Sequence, residues 1–124
     1  MPLYGPKDYQ LAEIAGMTKF LQDCARQQRL THYDEACEVA SHWGQYQGPH
    51  DKRLWDLLGL ISEHEVATGR AALSAVVVLK AGDGANRPGQ GFFELERKLG
   101  RYKEDDDKTW LGEIDALFKY WPKH

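Results

Sequence analysis

The chain has 124 residues, a length at which one domain buries about two thirds of the surface of the unfolded chain. Hydrophobic residues make up 42% of the sequence and charged residues 28%, which excludes an intrinsically disordered composition. The net charge is -3, from 16 basic and 19 acidic residues, so the chain lacks the basic excess that nucleic-acid-binding proteins usually carry.

The N-terminal residues and the apolar runs favour a cytoplasmic protein that does not contact a membrane. Residues 1–6 lack the charged and then apolar layout of a signal peptide, and no apolar run approaches the length of a transmembrane helix. The two cysteines, Cys24 and Cys37, fall at apolar positions of predicted helices and have no CxxC spacing. We therefore expect reduced, buried thiols rather than a disulfide or a reactive cysteine.

The spacing of apolar residues predicts two helices in the first third of the chain. The first covers residues 8 to about 28 and has one broad apolar face. Leu30 and Thr31 can form only a very short extended piece. A second helix then begins near Tyr33 and ends around residues 43–44.

A third helix follows a loop over residues 44–50 that is rich in Gly, Pro and Gln. Asp51 is its predicted N-cap, and Gly69 is expected to end it in the left-handed conformation. The predicted inner face of this helix consists of Leu54, Leu57, Leu58, Ile61 and His64.

Residues 73–80 contain three consecutive valines, and a short β-branched run of this kind predicts a buried strand. A lone strand leaves backbone groups unpaired, so it needs a partner. The candidates are residues 30–31, residues near Gln90, or a second copy of the chain. Residues 81–91, with four glycines and one proline, predict an exposed loop or a hairpin wing.

Two further helices are predicted in the C-terminal part. A short one contains Phe92, Leu95 and Leu99 and is stopped by Gly100. A second, strongly amphipathic one follows the acidic run 104–107 and is closed by Pro122. Its apolar face consists of Trp110, Leu111, Ile114, Leu117, Phe118 and Trp121.

This order of elements predicts a mainly α fold with a small β element (α+β). We expect one domain over residues 1–124: a winged-helix-like three-helix core at about 8–80, a glycine-rich loop or wing at 81–91, and C-terminal helices at 92–121. The alternative is an orthogonal helical bundle with an edge hairpin.

The C-terminal half has a distinctive pattern of small and aromatic residues. It comprises residues 70–80, Pro88, Gly89, Gly91, Phe92, Phe93, Leu95, Trp110, Glu113, Tyr120 and Trp121. This pattern resembles an uncharacterised family of small bacterial proteins. The resemblance implies a hypothetical protein of the kind encoded on a mobile gene cassette, and it implies no activity.

Thr31, Tyr33, Ala36 and Cys37 precede the apolar strand and its glycine-rich loop. This layout is similar to the winged-helix DNA-binding domain of alkylguanine alkyltransferases. That family carries its reactive cysteine in a Pro-Cys-His-Arg run beside the strand, where residues 74–77 of this chain read Ser-Ala-Val-Val. The similarity therefore implies a fold and no alkyltransferase activity.

No local pattern identifies an enzyme. Ser41 beside His42 and Ser62 near His64 are the local Ser–His pairs, and neighbouring helical residues point in different directions. His64 lies between two glutamates, a combination that suits a metal, but it lacks a second His at i+4. We expect no catalytic residue, no metal and no cofactor.

The glycine-rich loop contains a possible site for an anion or ligand. Gly89, Gln90 and Gly91 lead into a predicted helix whose free N–H groups can hold an anion with help from Arg87. A flexible turn without a ligand is the alternative.

Two binding functions are open, with a small enzyme of unrecognised site as the third possibility. The first is a protein-binding module whose partner is another protein or, in a homodimer, a second copy of the chain, and its expected contacts are the exposed aromatic residues Trp43, Tyr46 and Trp55. The second is a DNA-associated winged-helix regulator. Its candidate contacts are Lys52, Arg53, Lys80 and Arg87, and the acidic residues Asp51, Asp56, Glu63 and Glu65 on or near the same third helix would repel phosphate.

Overall fold

The computed structural model describes residues 4–80 and 85–124 and confirms a mainly α fold with a small β element. The described residues contain three 3-10 helices, Pro6–Asp8, Leu73–Val76 and Trp121–Lys123. None of their helices is both long and apolar enough to cross a membrane. In chain order the other elements are α1 (Leu11–Arg26), β1 (Thr31–His32), α2 (Tyr33–Ala40), α3 (Lys52–Ala67), β2 (Val77–Val78), α4 (Gln90–Lys98) and α5 (Asp106–Tyr120).

Local capping explains where the helices begin and end. The Asp51 carboxylate accepts a hydrogen bond from the backbone N–H of Arg53 at 2.9 Å, as expected for the N-cap of α3. Asp105 caps α5 in the same way through Lys108 N at 2.8 Å. After α3, Gly69 has a φ of +88°, which confirms the predicted left-handed stop.

The two strands pair within the chain and run parallel. Thr31 is opposite Val77 and His32 is opposite Val78, so the partner of the valine run is one of the predicted candidates. The need for a partner strand, which favoured a homodimer, is thus met internally. A wing would be an antiparallel hairpin, whereas the bridge between Leu79 and Ala85 is also parallel. Residues 81–84 of the predicted wing lie outside the described residues.

The predicted strand over residues 73–80 is shorter than expected, because Leu73–Val76 forms a 3-10 helix. Side chains satisfy its backbone instead of a neighbouring strand. The N–H of Ser74 donates to Ser62 Oγ at 2.9 Å, and the N–H of Ala72 donates to Glu113 Oε2 at 3.0 Å. A fully buried apolar run has no periodicity that distinguishes these conformations.

The core forms around this buried 3-10 helix, against which α1, α3 and α5 all pack. Met17 and Leu21 of α1, Leu54 and Leu57 of α3, and Leu117 of α5 are fully buried. Cys24 and Cys37 are buried free thiols, as predicted, and burial raises the pKa of Cys24 to about 11.

The prediction for the inner face of α3 was wrong at one position. Leu54, Leu57, Leu58 and Ile61 are buried, but His64 is exposed, and Glu65 continues the buried stripe one residue later. Arg70 makes this possible, because its guanidinium donates to both carboxylate oxygens of Glu65, at 3.0 and 2.9 Å.

The C-terminal helix packs on the core through its predicted apolar face, except at Leu111, which is 56% exposed. Trp110 is partly buried, and its indole N–H donates to the carbonyl of Ala75 in the central 3-10 helix at 2.8 Å. Leu117 and Trp121 are buried further along the same face. The α-helix ends at Tyr120, and Pro122 lies in the following 3-10 turn.

Replacing Trp110 by Ala should lower the free energy of unfolding by about 3 kcal/mol, because the change removes buried aromatic surface and the hydrogen bond to Ala75. Urea denaturation measures this change in the free energy of unfolding. Leu111→Ala is the matched control on the same helix: Leu111 is 56% exposed, and its loss should cost less than about 0.5 kcal/mol. Equal losses in the two variants would contradict the packing described for α5.

Candidate functional site

A cavity of about 670 Å³ lies between α3 and α4, within the range of about 300–1,000 Å³ of typical ligand pockets. Helix α3 lines it with Lys52, Trp55, Asp56, Leu58, Gly59, Leu60 and Glu63, and α4 lines it with Gln90, Gly91, Phe92, Glu94, Leu95 and Lys98. Tyr33, Pro49, His50, Ser74, Leu79 and Gly89 complete the lining. We call this cavity the α3–α4 groove.

The spacing of the lining residues shows that the groove is long. On α3 they recur from residue 52 to residue 63 on one face, a length of about 16 Å at 1.5 Å per residue. On α4 they recur from residue 90 to residue 98, a length of about 12 Å. The two lining faces are joined where Lys98 Nζ pairs with Glu63 Oε1 at 2.9 Å. The groove therefore follows about three turns of one helix and two of the other.

Apolar side chains line much of the groove, and Trp55 is its most exposed aromatic residue. Trp55 is 42% exposed, while Phe92 is buried and Leu60 and Leu95 are half-buried. The indole N–H of Trp55 donates to the carbonyl of Pro49 at 2.9 Å, and the ring of His50 stands edge-on at 6.3 Å. The indole is thus held in place with its polar atom satisfied, leaving apolar surface open.

Each helical wall of the groove contains one glycine, a position without a side chain. A Cβ atom at Gly59 in the middle of α3, or at Gly91 in the first turn of α4, would meet no described atom within 4 Å. By contrast, a Cβ at Gly16 would collide with Trp43, and one at Gly44 would collide with Glu13. Glycine inside a helix costs about 0.5–1 kcal/mol relative to Ala, and no packing contact in the described part of the chain requires it at position 59.

The charged residues of the groove are mostly paired with one another. Lys52 Nζ lies 3.0 Å from Asp56 Oδ1 across one turn of α3, and Lys98 pairs with Glu63. Glu94 of α4 is exposed and has no ion pair or hydrogen bond to any residue in 4–80 or 85–124. The rim of the groove therefore carries one uncompensated carboxylate.

The three predicted interface residues do not lie together. Trp55 lines the groove, but Trp43 borders a different surface depression and packs against Gly16. The hydroxyl of Tyr46 donates to the buried carboxylate of Glu13. Trp43 and Tyr46 are only half-exposed, because both serve the packing of α1.

Arg53, a predicted DNA contact, belongs to an internal network. Its guanidinium holds both oxygens of Glu13, which is 0% exposed, at 2.6 and 3.2 Å. The rings of Tyr9 and Tyr46 lie 4.5 and 5.0 Å from it. Burial alone would raise the pKa of Glu13, but the hydrogen bonds from Arg53 and Tyr46 hold it below its usual value. The Arg53 guanidinium is therefore paired with Glu13 inside the protein.

The other predicted DNA contacts also lie beside carboxylates. Lys52 pairs with Asp56, Lys80 Nζ lies 3.5 Å from Asp34, and Arg87 pairs with Asp107. Arg87 was also the predicted helper of an anion site, and this ion pair competes with that role.

One backbone N–H of the candidate anion site at the start of α4 is also used for a contact within the chain. The N–H of Gly89 donates to the Tyr33 hydroxyl at 3.3 Å rather than pointing to an open site. Gln90 and Gly91 line the groove. The role of Gly89, Gln90 and Gly91 in anion binding stays a prediction.

The local Ser–His pairs do not form catalytic contacts. The hydroxyl of Ser62 donates to Ser74 Oγ at 2.7 Å inside the core, while His64 is exposed. The hydroxyl of Ser41, just after α2, donates to the carbonyl of Cys37 in that helix at 2.7 Å. The described ranges 4–80 and 85–124 contain no group of three or more His, Cys, Asp or Glu side chains that could hold a metal ion.

The structure also reveals a buried carboxyl pair between α4 and α5 that the sequence did not predict. Glu96 is 0% exposed, and within residues 4–80 and 85–124 neither of its carboxylate oxygens has a hydrogen-bond partner. Arg101 Nε lies 3.8 Å from Glu96 Oε2 but donates to Glu113 at 3.1 Å. Burial and the adjacent Glu113 carboxylate raise the pKa of Glu96 to about 8. The environment of Glu96 therefore favours its neutral form over the carboxylate.

Replacing Glu96 by Gln should remove a pH dependence of stability. The pKa of Glu96 is higher in the folded chain than its ordinary value of 4.5, so the folded chain binds the proton more tightly. The free energy of unfolding of the parent should fall as the pH rises from about 5 to 8 and stay low above that. Gln stays neutral, so the variant should lack this fall in stability and should be more stable relative to the parent at about pH 9 than at about pH 6.

Urea denaturation at about pH 6 and about pH 9 tests this, with Glu94→Gln as the control because Glu94 is an exposed carboxylate on the same helix. The control should keep the pH dependence of the parent. If Glu96→Gln keeps it too, Glu96 is not the buried neutral acid described above.

Comparison with protein-family models, with curated proteins and with solved structures finds no match for this chain. The evidence for its function is therefore its own geometry: a mainly α fold with an apolar groove between two helices.

Proposed function

We propose that the chain is a protein-binding module that holds an apolar segment of a partner protein in the α3–α4 groove. The observation that carries this proposal is the absence of side chains at Gly59 and Gly91, one in each wall. A helix-interior glycine over which nothing packs is unfavourable for the isolated fold. It becomes useful when another molecule approaches the backbone closely.

The composition of the groove supports a protein partner. Trp55 supplies a large, fixed aromatic surface at the rim, and aromatic residues of this kind are common anchors of protein interfaces. Four of the five Asp, Glu and Lys side chains of the groove lie in salt bridges along α3 and between the helices rather than converging on one point, as a catalytic site requires.

Gly59→Leu should block binding without unfolding the protein. The new side chain enters open space in the groove, and Leu favours a helix more than Gly does. Peptides of about 16 residues, selected on the parent from a displayed random library, should bind the variant at least about tenfold more weakly in fluorescence anisotropy. The melting temperature of the variant should equal or exceed that of the parent.

Gly112→Leu on α5 is the matched control, because a Cβ there meets only Lys103 Nζ, at 3.9 Å, and Gly112 does not line the groove. It should leave peptide affinity within about twofold. If no peptide is selected, or if the selected peptides bind Gly59→Leu as well as the parent, the groove is not the binding site.

A further inference from the structure

We propose that the segment that the groove takes is an amphipathic α-helix with a Lys or Arg beside Glu94. This inference rests on the proposed function and specifies the chemistry of the partner. It follows from the backbone of the groove walls, from the space above the two glycines, and from the one uncompensated charge on the rim.

The walls of the groove select a helical occupant over an extended one. Both walls are α-helices, whose interior backbone N–H and C=O groups are already bonded along the helix, so they present no strand edge for an extended peptide to join. An extended segment buried there would leave its own backbone groups unpaired. A helix satisfies its backbone internally and needs only an apolar face.

The dimensions of the groove match such a helix. The lining face of α3 extends about 16 Å, the length of about 11 helical residues, or three turns. Over three turns an amphipathic helix presents apolar side chains at i, i+3 or i+4, and i+7. Gly59 and Gly91 remove the side chains that would hold this helix away from the walls, so that it can approach α3 and α4 closely.

The charge of the rim specifies a basic residue on the partner. Lys52, Asp56, Glu63 and Lys98 are paired within the groove, so they offer no net charge to an occupant. Glu94 is exposed and unpaired in the described part of the chain, and the whole chain carries a net charge of -3. A Lys or Arg at this point gains a partner, whereas an acidic residue is repelled, so Glu94 contributes to selectivity more than to total affinity.

Two displayed libraries of about 16-residue peptides test the inference. Both keep apolar residues at i, i+3 or i+4, and i+7, and they differ only in having Lys or Glu at the flanking positions. The best peptide from each is synthesised and measured by fluorescence anisotropy against the parent and Glu94→Lys. Glu38→Lys is the control with the same change of net charge, because Glu38 is exposed on α2 and does not line the groove.

We expect the Lys peptide to bind the parent more tightly than the Glu peptide, and Glu94→Lys to weaken the Lys peptide and strengthen the Glu peptide, each by about threefold or more. Glu38→Lys should change both affinities by less than about twofold. The bound Lys peptide should gain helical circular dichroism, and a proline at its centre should abolish binding.

The inference is overturned if the peptides whose binding is weakened by Gly59→Leu bind the parent without gaining helix or still bind with a central proline. It is also overturned if their affinities do not change in Glu94→Lys. The proposed binding function still stands in that case. If no peptide binding is sensitive to Gly59→Leu, the binding function itself fails, and the inference with it.

Discussion

The structure depends on burying residues 71–78 while giving the backbone N–H and C=O groups of that segment hydrogen-bond partners. In this segment polar residues do not alternate with apolar ones. The parallel ladder described for it consists of two residue pairs. Side chains supply the missing hydrogen bonds: Ser62 from α3 and Glu113 from α5 accept from the backbone, and Trp110 from α5 donates to it. Because unpaired buried peptide groups are costly, these contacts determine where α3 and α5 sit.

The position of the groove follows from that arrangement. With its inner face held on the central segment, α3 turns Trp55, Gly59 and Glu63 outward. Helix α4 buries Phe92, Phe93 and Glu96 against the rest of the fold and leaves Gly91, Glu94, Leu95 and Lys98 facing the groove. The groove walls are therefore the outer faces of helices whose inner faces are anchored in the core, which gives the binding surface a rigid support.

Buried carboxylates are the second organising feature of the fold. Glu13 is held by Arg53, Glu65 by Arg70, and Glu113 by Arg101, each through two hydrogen bonds from a guanidinium. A buried carboxylate needs such hydrogen bonds to stay charged, and Glu96, which accepts none in residues 4–80 and 85–124, has its pKa raised. Arg53, which the sequence leaves open for a DNA phosphate, thus pairs with a buried carboxylate inside the molecule.

The sequence by itself determined where helices form, the two ends of α3 and the mainly α class, because these depend on local periodicity and on residues such as Asp51 and Gly69 that act within one turn. The bounds of other helices were less exact: the second was expected to end around residues 43–44 and ends at Ala40. It also identified Trp55 as an exposed aromatic residue. Only the tertiary structure decided that residues 73–76 form a 3-10 helix and that Arg53 and Tyr46 donate hydrogen bonds to Glu13. It also decided that Gly59 and Gly91 line the same groove. Each of these depends on contacts between residues far apart in the chain, which local patterns do not encode.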